Sequence, residues 1–199
     1  MVELEACQKL QNEVIKRNLC TLCGACLGIC PYWVAYKGKV ILREVCDLSQ
    51  GRCHTFCSRI SLDLDNISRT SFGVPYAWGE LGTVRGVFMA RSTDAIIRHR
   101  AQDSSVVTAL TSFALDEGLI DSAVLTLSED KSFPKGVIAS TRDDILKCAG
   151  SSYMATPMLE AFNRGAQDDS RRRTGVVGMP CQVLALAKMK TSTPQERSI

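Results

Sequence analysis

No apolar run in this chain of 199 residues approaches the roughly 20 residues that cross a bilayer as a helix, so a helical membrane span is not expected. The first twenty residues also lack the apolar stretch of a secretion signal, being interrupted by Glu3, Glu5, Lys9, Glu13, Lys16 and Arg17. Both absences point to a cytoplasmic chain in a reducing interior. Charge of one sign is scarce, with a net value of +3. The conspicuous basic cluster, Arg171-Arg172-Arg173, follows Asp168-Asp169 in a polar stretch and reads as a solvated loop, so no nucleic-acid partner is expected. Neither G-x-G-x-x-G nor a phosphate-binding P-loop occurs, which leaves a nicotinamide-type Rossmann site and an ATPase unsupported. The hydrophobic content of 45% is ordinary for a globular protein, and the length suits one full domain plus a small one.

Cysteine is what the chain has in excess. Of ten, eight precede Ser58, and only Cys148 and Cys181 lie beyond it. Cys20, Cys23, Cys26 and Cys30, followed by Pro31, carry the spacing of a 4Fe-4S cluster motif, with Gly24 supplying backbone freedom for a loop that wraps around a cluster. A structural zinc site usually closes with two separated pairs, unlike this continuous triplet and Cys-Pro. Disulfides suit short secreted chains, and chance seldom places four cysteines in eleven positions. The motif therefore points to one-electron transfer.

A second group, Cys46, Cys53 and Cys57, has three members. In two-cluster ferredoxins the last cysteine of each motif crosses over to the other cluster. By that rule Cys20, Cys23, Cys26 and Cys57 hold one cluster, and Cys30, Cys46 and Cys53 hold three corners of a second. Asp47 and Ser49 are the oxygen donors nearest in sequence to the missing corner. A single cluster with spare cysteines also satisfies the sequence, so one or two clusters are expected. Cys7 falls on the apolar face of an N-terminal helix over residues 1–17, with Leu4, Leu10 and Val14, and reads as a small core residue. His54 reads as a surface histidine of the cluster loop.

Around these cysteines, Tyr32 to Tyr36 and Val40 to Leu42 flank Lys37-Gly38-Lys39 as a short hairpin. From about Gly73 the pattern alternates. Strands are predicted at 85–91, 122–127, 135–140 and 174–177, and helices at 104–119, 156–165 and 181–190. A further helix starts at Thr141, as N-cap, with Asp144 at the capping-box position. Two loops aim at helix N-termini, Gln102-Asp103-Ser104-Ser105 and Gly178-Met179-Pro180-Cys181-Gln182. Each is either an ordinary capped loop or a receiver for a phosphate or the polar edge of a flavin.

The cluster motif from Cys20 to Pro31, the helix start Asp103 to Leu110, the stretch from Ala139 to Tyr153 and the run Val177 to Gln182 together resemble the family of coenzyme F420 hydrogenase and dehydrogenase beta subunits. The resemblance covers nearly the whole chain. It implies an α+β architecture: a small ferredoxin-like iron-sulfur domain over residues 1–66, then an α/β flavin-binding domain over 67–199 that lacks its C-terminal part. It also implies an oxidoreductase subunit that binds FAD and 4Fe-4S clusters. Such a subunit passes electrons between a redox partner (a hydrogenase, a formate dehydrogenase or a ferredoxin) and a two-electron acceptor such as the deazaflavin coenzyme F420. The flavin pocket it implies is built from Ser104, Ser105, Thr108, Ser151, Tyr153, Gly178 and Pro180. The alternative is a ferredoxin-like carrier or docking module without its own flavin. Family members commonly carry a glycine pair where Ser104-Ser105 stands, a small residue at Cys148 and a proline where Ser58 follows Cys57. They also continue through a larger C-terminal domain, so truncation at Ile199 is expected.

Overall fold

The computed structural model describes residues 5–100, 105–129, 133–165 and 173–192. The chain begins with α1 (Ala6–Leu10), which runs on into a π-helical turn over Gln11–Ile15, closed by Lys16 N donating to Gln11 O at 2.9 Å. Ala6, Cys7, Leu10 and Val14 face inward, the apolar stripe that the three-to-four spacing predicts. Leu4 lies outside the described residues.

Strands β1 (Trp33–Tyr36) and β2 (Lys39–Leu42) pair antiparallel, with Tyr36 opposite Lys39. Only Lys37 and Gly38 separate them, at φ +47° and +73°. Two left-handed residues give the turn whose twist matches a two-residue hairpin. The hairpin buries Trp33 and Val40 against α1 and the cysteine loops. Helix α2 (Arg52–Thr55) carries Cys53. Helix α3 (Leu64–Phe72) is capped by Asp63, whose carboxylate accepts from Asn66 N at 2.9 Å, and ends at Gly73, φ +76°.

The predicted strand over 85–91 does not form. That stretch has no strand partner among the described residues, and Val87, Phe88 and Met89 stand exposed. Its apolar side chains match strand propensity, but a strand exists only by pairing, and the Phe88 ring instead folds over Gly86. Asp94 then caps α4 (Ala95–Arg100), accepting from Ile96 N and Ile97 N.

The second half is a layered α/β unit. Its sheet has the order β4-β3-β5, with β3 (Ser122–Leu127) antiparallel to β4 (Lys135–Ala139) and parallel to β5 (Thr174–Val176). The central strand is buried on both faces, which is why it reads as a continuous apolar run. Ala123 and Leu125 pack towards α5 (Val106–Asp116) and α6 (Arg142–Lys147). Val124 packs on the opposite side against α7 (Leu159–Gly165) and α8 (Pro180–Thr191). Thr141 caps α6 as its sequence predicts, its hydroxyl accepting from Asp144 N at 3.2 Å and donating to the Asp144 carboxylate at 2.7 Å.

The loop from Cys20 to Cys30 is seated on this unit. Ala25 lies in the same core as Val124, Met158, Leu159 and Ala185. Leu159 N donates to Cys23 O at 3.1 Å, and Lys188 Nζ on α8 donates to Cys57 O at 2.9 Å. No helix among the described residues is long and apolar enough to cross a membrane.

Candidate functional site

The loop after Cys20 turns on left-handed residues: Leu22 at φ +56°, Gly24 at +89° and Gly28 at +76°. Leu22 is buried, and a buried non-glycine residue in that region costs about 1–2 kcal/mol, which the surrounding contacts must offset. The strain closes the loop. Cys20, Cys23, Cys26 and Cys57 line one small hollow, floored by Leu10 and Val14 of the N-terminal helix. Sequence reasoning grouped these four by the crossover rule, and the structure places them together.

All ten cysteines are free. The Cys23 thiol is pushed up to about 11, chiefly by burial, with the Ala25 N–H opposing the rise and negative charge at Cys57, Cys181 and Cys20 adding to it. Burial likewise holds Cys26 well above its ordinary value, with Cys23, Cys20 and Cys57 adding to the effect. Cys57 is raised by burial, against the Lys188 ammonium, which lowers it. Cys23, Cys26 and Cys57, whose burial opposes their charged forms, ionise together only around a cationic partner. Among the described residues no three His, Cys, Asp or Glu side chains converge on a single ion. Zinc requires sulfurs about 2.3 Å from one centre, whereas a four-iron cluster spreads its ligands around a cubane. The donor set therefore fits an iron-sulfur cluster.

The second group packs on the core cluster that holds Cys7: Cys53 is buried in it, and Cys30 and Cys46 pack against it, as do Cys26 and Cys57. The Cys53 thiol is pushed up to about 11, chiefly by burial, with the Trp33 indole opposing the rise and charge at Cys30 and Cys46 adding to it. His54 is engaged elsewhere, its Nε2 3.1 Å from the Glu13 carboxylate.

A larger cavity, of about 510 Å³, opens between α5, the loop 150–156 and the start of α8. It falls within the roughly 300–1,000 Å³ of ordinary ligand pockets. Of the residues singled out from sequence, Ser105, Thr108, Ser151 and Gly178 line it. Ser104 lies outside the described residues. Tyr153 is 90% exposed beside the lining residues Ser152 and Met154, and Pro180 opens α8 between the lining residues Met179 and Cys181; neither lines the cavity itself. Gly178 is a point of close approach. A Cβ there would stand 2.8 Å from both Gln182 Oε1 and Met158 Cε.

Sequence reasoning missed Thr21, Cys148 and Thr156, and placed Cys181 and Gln182 only in the candidate loop before α8; all five are in the cavity wall. Gln182 fixes one side of it, its side-chain oxygen accepting from Met179 N at 2.7 Å and its amide donating to Thr156 O at 2.9 Å. A glutamine three residues after Met179 is half of a capping box, which is the signal that could have found it. Thr21 matters most, because it lines both this cavity and the hollow of Cys20, Cys23, Cys26 and Cys57.

The chain thus presents a helix-flanked mixed sheet whose cavity shares a wall with a four-thiol hollow. Residues 87–163 match the family described as coenzyme F420 hydrogenase/dehydrogenase, beta subunit N-term. Over these residues the chain is similar to the N-terminal domain of that family. It is 35% identical over 113 residues to the beta subunit of the coenzyme F420 hydrogenase of Methanothermobacter thermautotrophicus, covering 56% of this chain and 40% of the relative. With a subunit of the F(420)H(2) dehydrogenase of Methanosarcina mazei it shares 30% identity over 185 residues, covering 87% and 49%. With the coenzyme F420-dependent sulfite reductase of Methanocaldococcus jannaschii it shares 27% over 181 residues, covering 90% and 26%. A chain of the F420-reducing NiFe hydrogenase complex from Methanosarcina barkeri superposes with a TM-score of 0.50 at 34% identity, over 57% of this chain and 41% of that one. The chain thus spans between about a quarter and a half of these relatives.

Proposed function

We propose that this chain is an iron-sulfur flavoprotein subunit of an F420-linked oxidoreductase. In this reading residues 1–66 hold the 4Fe-4S clusters and residues 67–199 contribute the FAD site. Electrons pass between a redox partner, whether a hydrogenase, a formate dehydrogenase or a ferredoxin, and a two-electron acceptor such as coenzyme F420. The observation that carries the proposal is Thr21, one residue shared by the walls of the thiol hollow and of the large cavity. A group in the cavity and a cluster in the hollow would be separated by little more than one side chain.

The cavity residues fit a flavin. Ser105 places the N-terminus of α5, an eleven-residue helix, at the cavity edge, where exposed N–H groups and the helix dipole favour an anionic phosphate. Thr108 and Ser151 offer hydroxyls, and Leu125, Ile145 and Val177 offer an apolar wall for a ring system. A bound flavin would supply two-electron storage and hydride transfer to a deazaflavin, which the cluster alone cannot. The chain's own task is to seat the groups together and exclude water. Cys20, Cys23, Cys26 and Cys57 would ligate the first cluster, and Cys30, Cys46 and Cys53 belong to a second.

The test is anaerobic reconstitution of the chain with iron, sulfide and FAD, followed by iron and flavin analysis. About eight irons and one flavin per chain are expected for two clusters and one flavin site. Iron without flavin would reduce the assignment to an electron-carrying module.

A further inference from the structure

The second cysteine group lacks a fourth corner in sequence, and the structure brings one to it. Cys7, thirty-nine residues before Cys46, is 1% exposed and sits in one core cluster with Cys53, against which Cys30 and Cys46 pack. Its Sγ accepts the Cys46 backbone N–H at 3.2 Å and, as a thiol, donates to Cys46 O at 3.9 Å. Cys53 is buried in the same cluster. Ala6 N donates to Leu48 O at 2.7 Å, tying the start of α1 to the loop between Cys46 and Cys53. A Cβ placed on Gly51 would stand 3.1 Å from Ala6 Cβ and 3.6 Å from Cys53 Sγ, so the neighbour of Cys7 and the Cys53 sulfur flank the same glycine. The oxygen donors nearest in sequence, Asp47 and Ser49, are exposed instead.

A second, independent feature points at the same place. Trp33 is 2% exposed, and its Nε1 has no hydrogen-bond partner within normal reach among the described residues. A buried donor left unpaired is costly and uncommon. Trp33 is packed in the same buried cluster as Cys7 and Cys53.

We propose that Cys7 is the fourth thiolate ligand of a second iron-sulfur centre, with Cys30, Cys46 and Cys53, and that the Trp33 indole donates to sulfur at its Cys53 corner. The inference rests on the reading of the chain as an iron-sulfur protein. On ligation the Cys7 thiol releases its proton to solvent and its sulfur lone pair forms the bond to iron, with no change of oxidation state. The Cys46 amide keeps its N–H···S bond to Cys7, now to a thiolate and stronger for it. Cys7 was hidden in sequence because its spacing belongs to a helix and not to a cluster motif.

The test reconstitutes the full chain and its Cys7→Ala and Cys7→Ser variants anaerobically with iron and sulfide, and measures iron content and EPR spectra. Wild type is expected to hold about eight irons. Cys7→Ala is expected to gain a three-iron signal in the oxidised state, or to fall to about four irons, while the signal of the first cluster persists and reports a folded chain. If Cys7→Ala loses both clusters, Cys7→Ser decides: an oxygen ligand should shift the spectrum of the second centre, whereas an unshifted spectrum overturns the assignment. Cys7→Ala with full iron and both signals unchanged overturns it too and leaves Cys7 a core residue. About four irons in the wild type would remove the second centre, and Cys7 with it, while the first cluster stands. No bound iron at all would remove the iron-sulfur reading.

Discussion

The side-chain amide of Asn163 on α7 donates to Leu27 O at 2.6 Å and also reaches Ala25 O at 3.1 Å and Gly24 O at 3.3 Å. One buried amide from the other half of the chain thus shares its two N–H donors among three carbonyls of the Cys20–Cys30 loop. Asn163→Leu keeps the volume and removes the donors, leaving buried carbonyls unpaired at a cost of about 1–3 kcal/mol. For a chain of this size that lowers Tm by roughly 2–4 °C per kcal/mol, measurable by thermal unfolding. Asn163→Asp should be worse than Asn163→Leu, because it sets a carboxylate against the carbonyl oxygens. Equal behaviour of the two variants would show that packing, and not hydrogen bonding, holds the loop.

Gly24 is the point where that loop touches its support. At φ +89° its missing side chain leaves room for the backbone of Pro157 and Glu160, and a Cβ would meet Pro157 O at 2.7 Å and Glu160 N at 2.8 Å. Both obstacles are backbone atoms that cannot swing aside. Gly24→Ala should therefore shift the whole turn between Cys23 and Cys26, with an iron loss of about half per chain if one of two clusters fails to assemble. Gly38→Ala is the control: its φ is also positive but nothing lies within 4 Å, so it should cost about 1 kcal/mol in the hairpin and leave iron content unchanged. Iron analysis of the two variants checks the contrast.

What could be read in the sequence was local. Ser122 to Leu127 and Thr141 with Asp144 declared a buried strand and a capped helix, and the folded chain has both. The grouping of Cys20, Cys23 and Cys26 with Cys57 was legible as a spacing pattern, and the four line one hollow. Long-range pairings left no such trace. Asn163 looks like any polar residue of a short helix until Leu27 is found beneath it, and Cys7 looks like any apolar helix position until Cys46 is found beside it. The stretch over 85–91 fails for the converse reason. Val87, Phe88 and Met89 carry strand propensity in full, but propensity without a pairing partner leaves them exposed.

Ser105 holds an unfavourable backbone at the N-cap of α5, with φ +60° and ψ +16°, while lining the cavity. A non-glycine residue in that left-handed well gives up about 1 kcal/mol relative to glycine. Ser105→Gly should raise Tm or leave it unchanged, and flavin binding should hold or tighten, since the backbone can approach more closely. Ser105→Val, with a β-branched side chain in the same well, should lower Tm and weaken flavin retention. Thermal unfolding and flavin retention after gel filtration test both variants, and a destabilised Ser105→Gly would mean that the serine hydroxyl contributes more than the backbone strain costs.

Acid should loosen the α4–α6 corner before the sheet. The Asp94 carboxylate is held below its ordinary value of 3.8, first by the Ile97 N–H, then by the Ile96 N–H and the Arg142 guanidinium. Arg142 on α6 pairs with Asp94 and also with Asp116 at the end of α5, so one guanidinium ties three helices. A carboxylate whose folded value is depressed adds stability above its unfolded value near about 3.9, and that stability is lost as pH falls through the folded value. The window therefore opens just below about pH 4 and extends downward. Asp94→Asn should be less stable than wild type at neutral pH, and should lose less between about pH 5 and about pH 3, because the titrating group is gone. Unfolding midpoints for the two proteins across that range give the comparison. Parallel curves would mean that Asp94 acts as a helix cap whether or not it is charged, and that the tie to Arg142 adds nothing to stability.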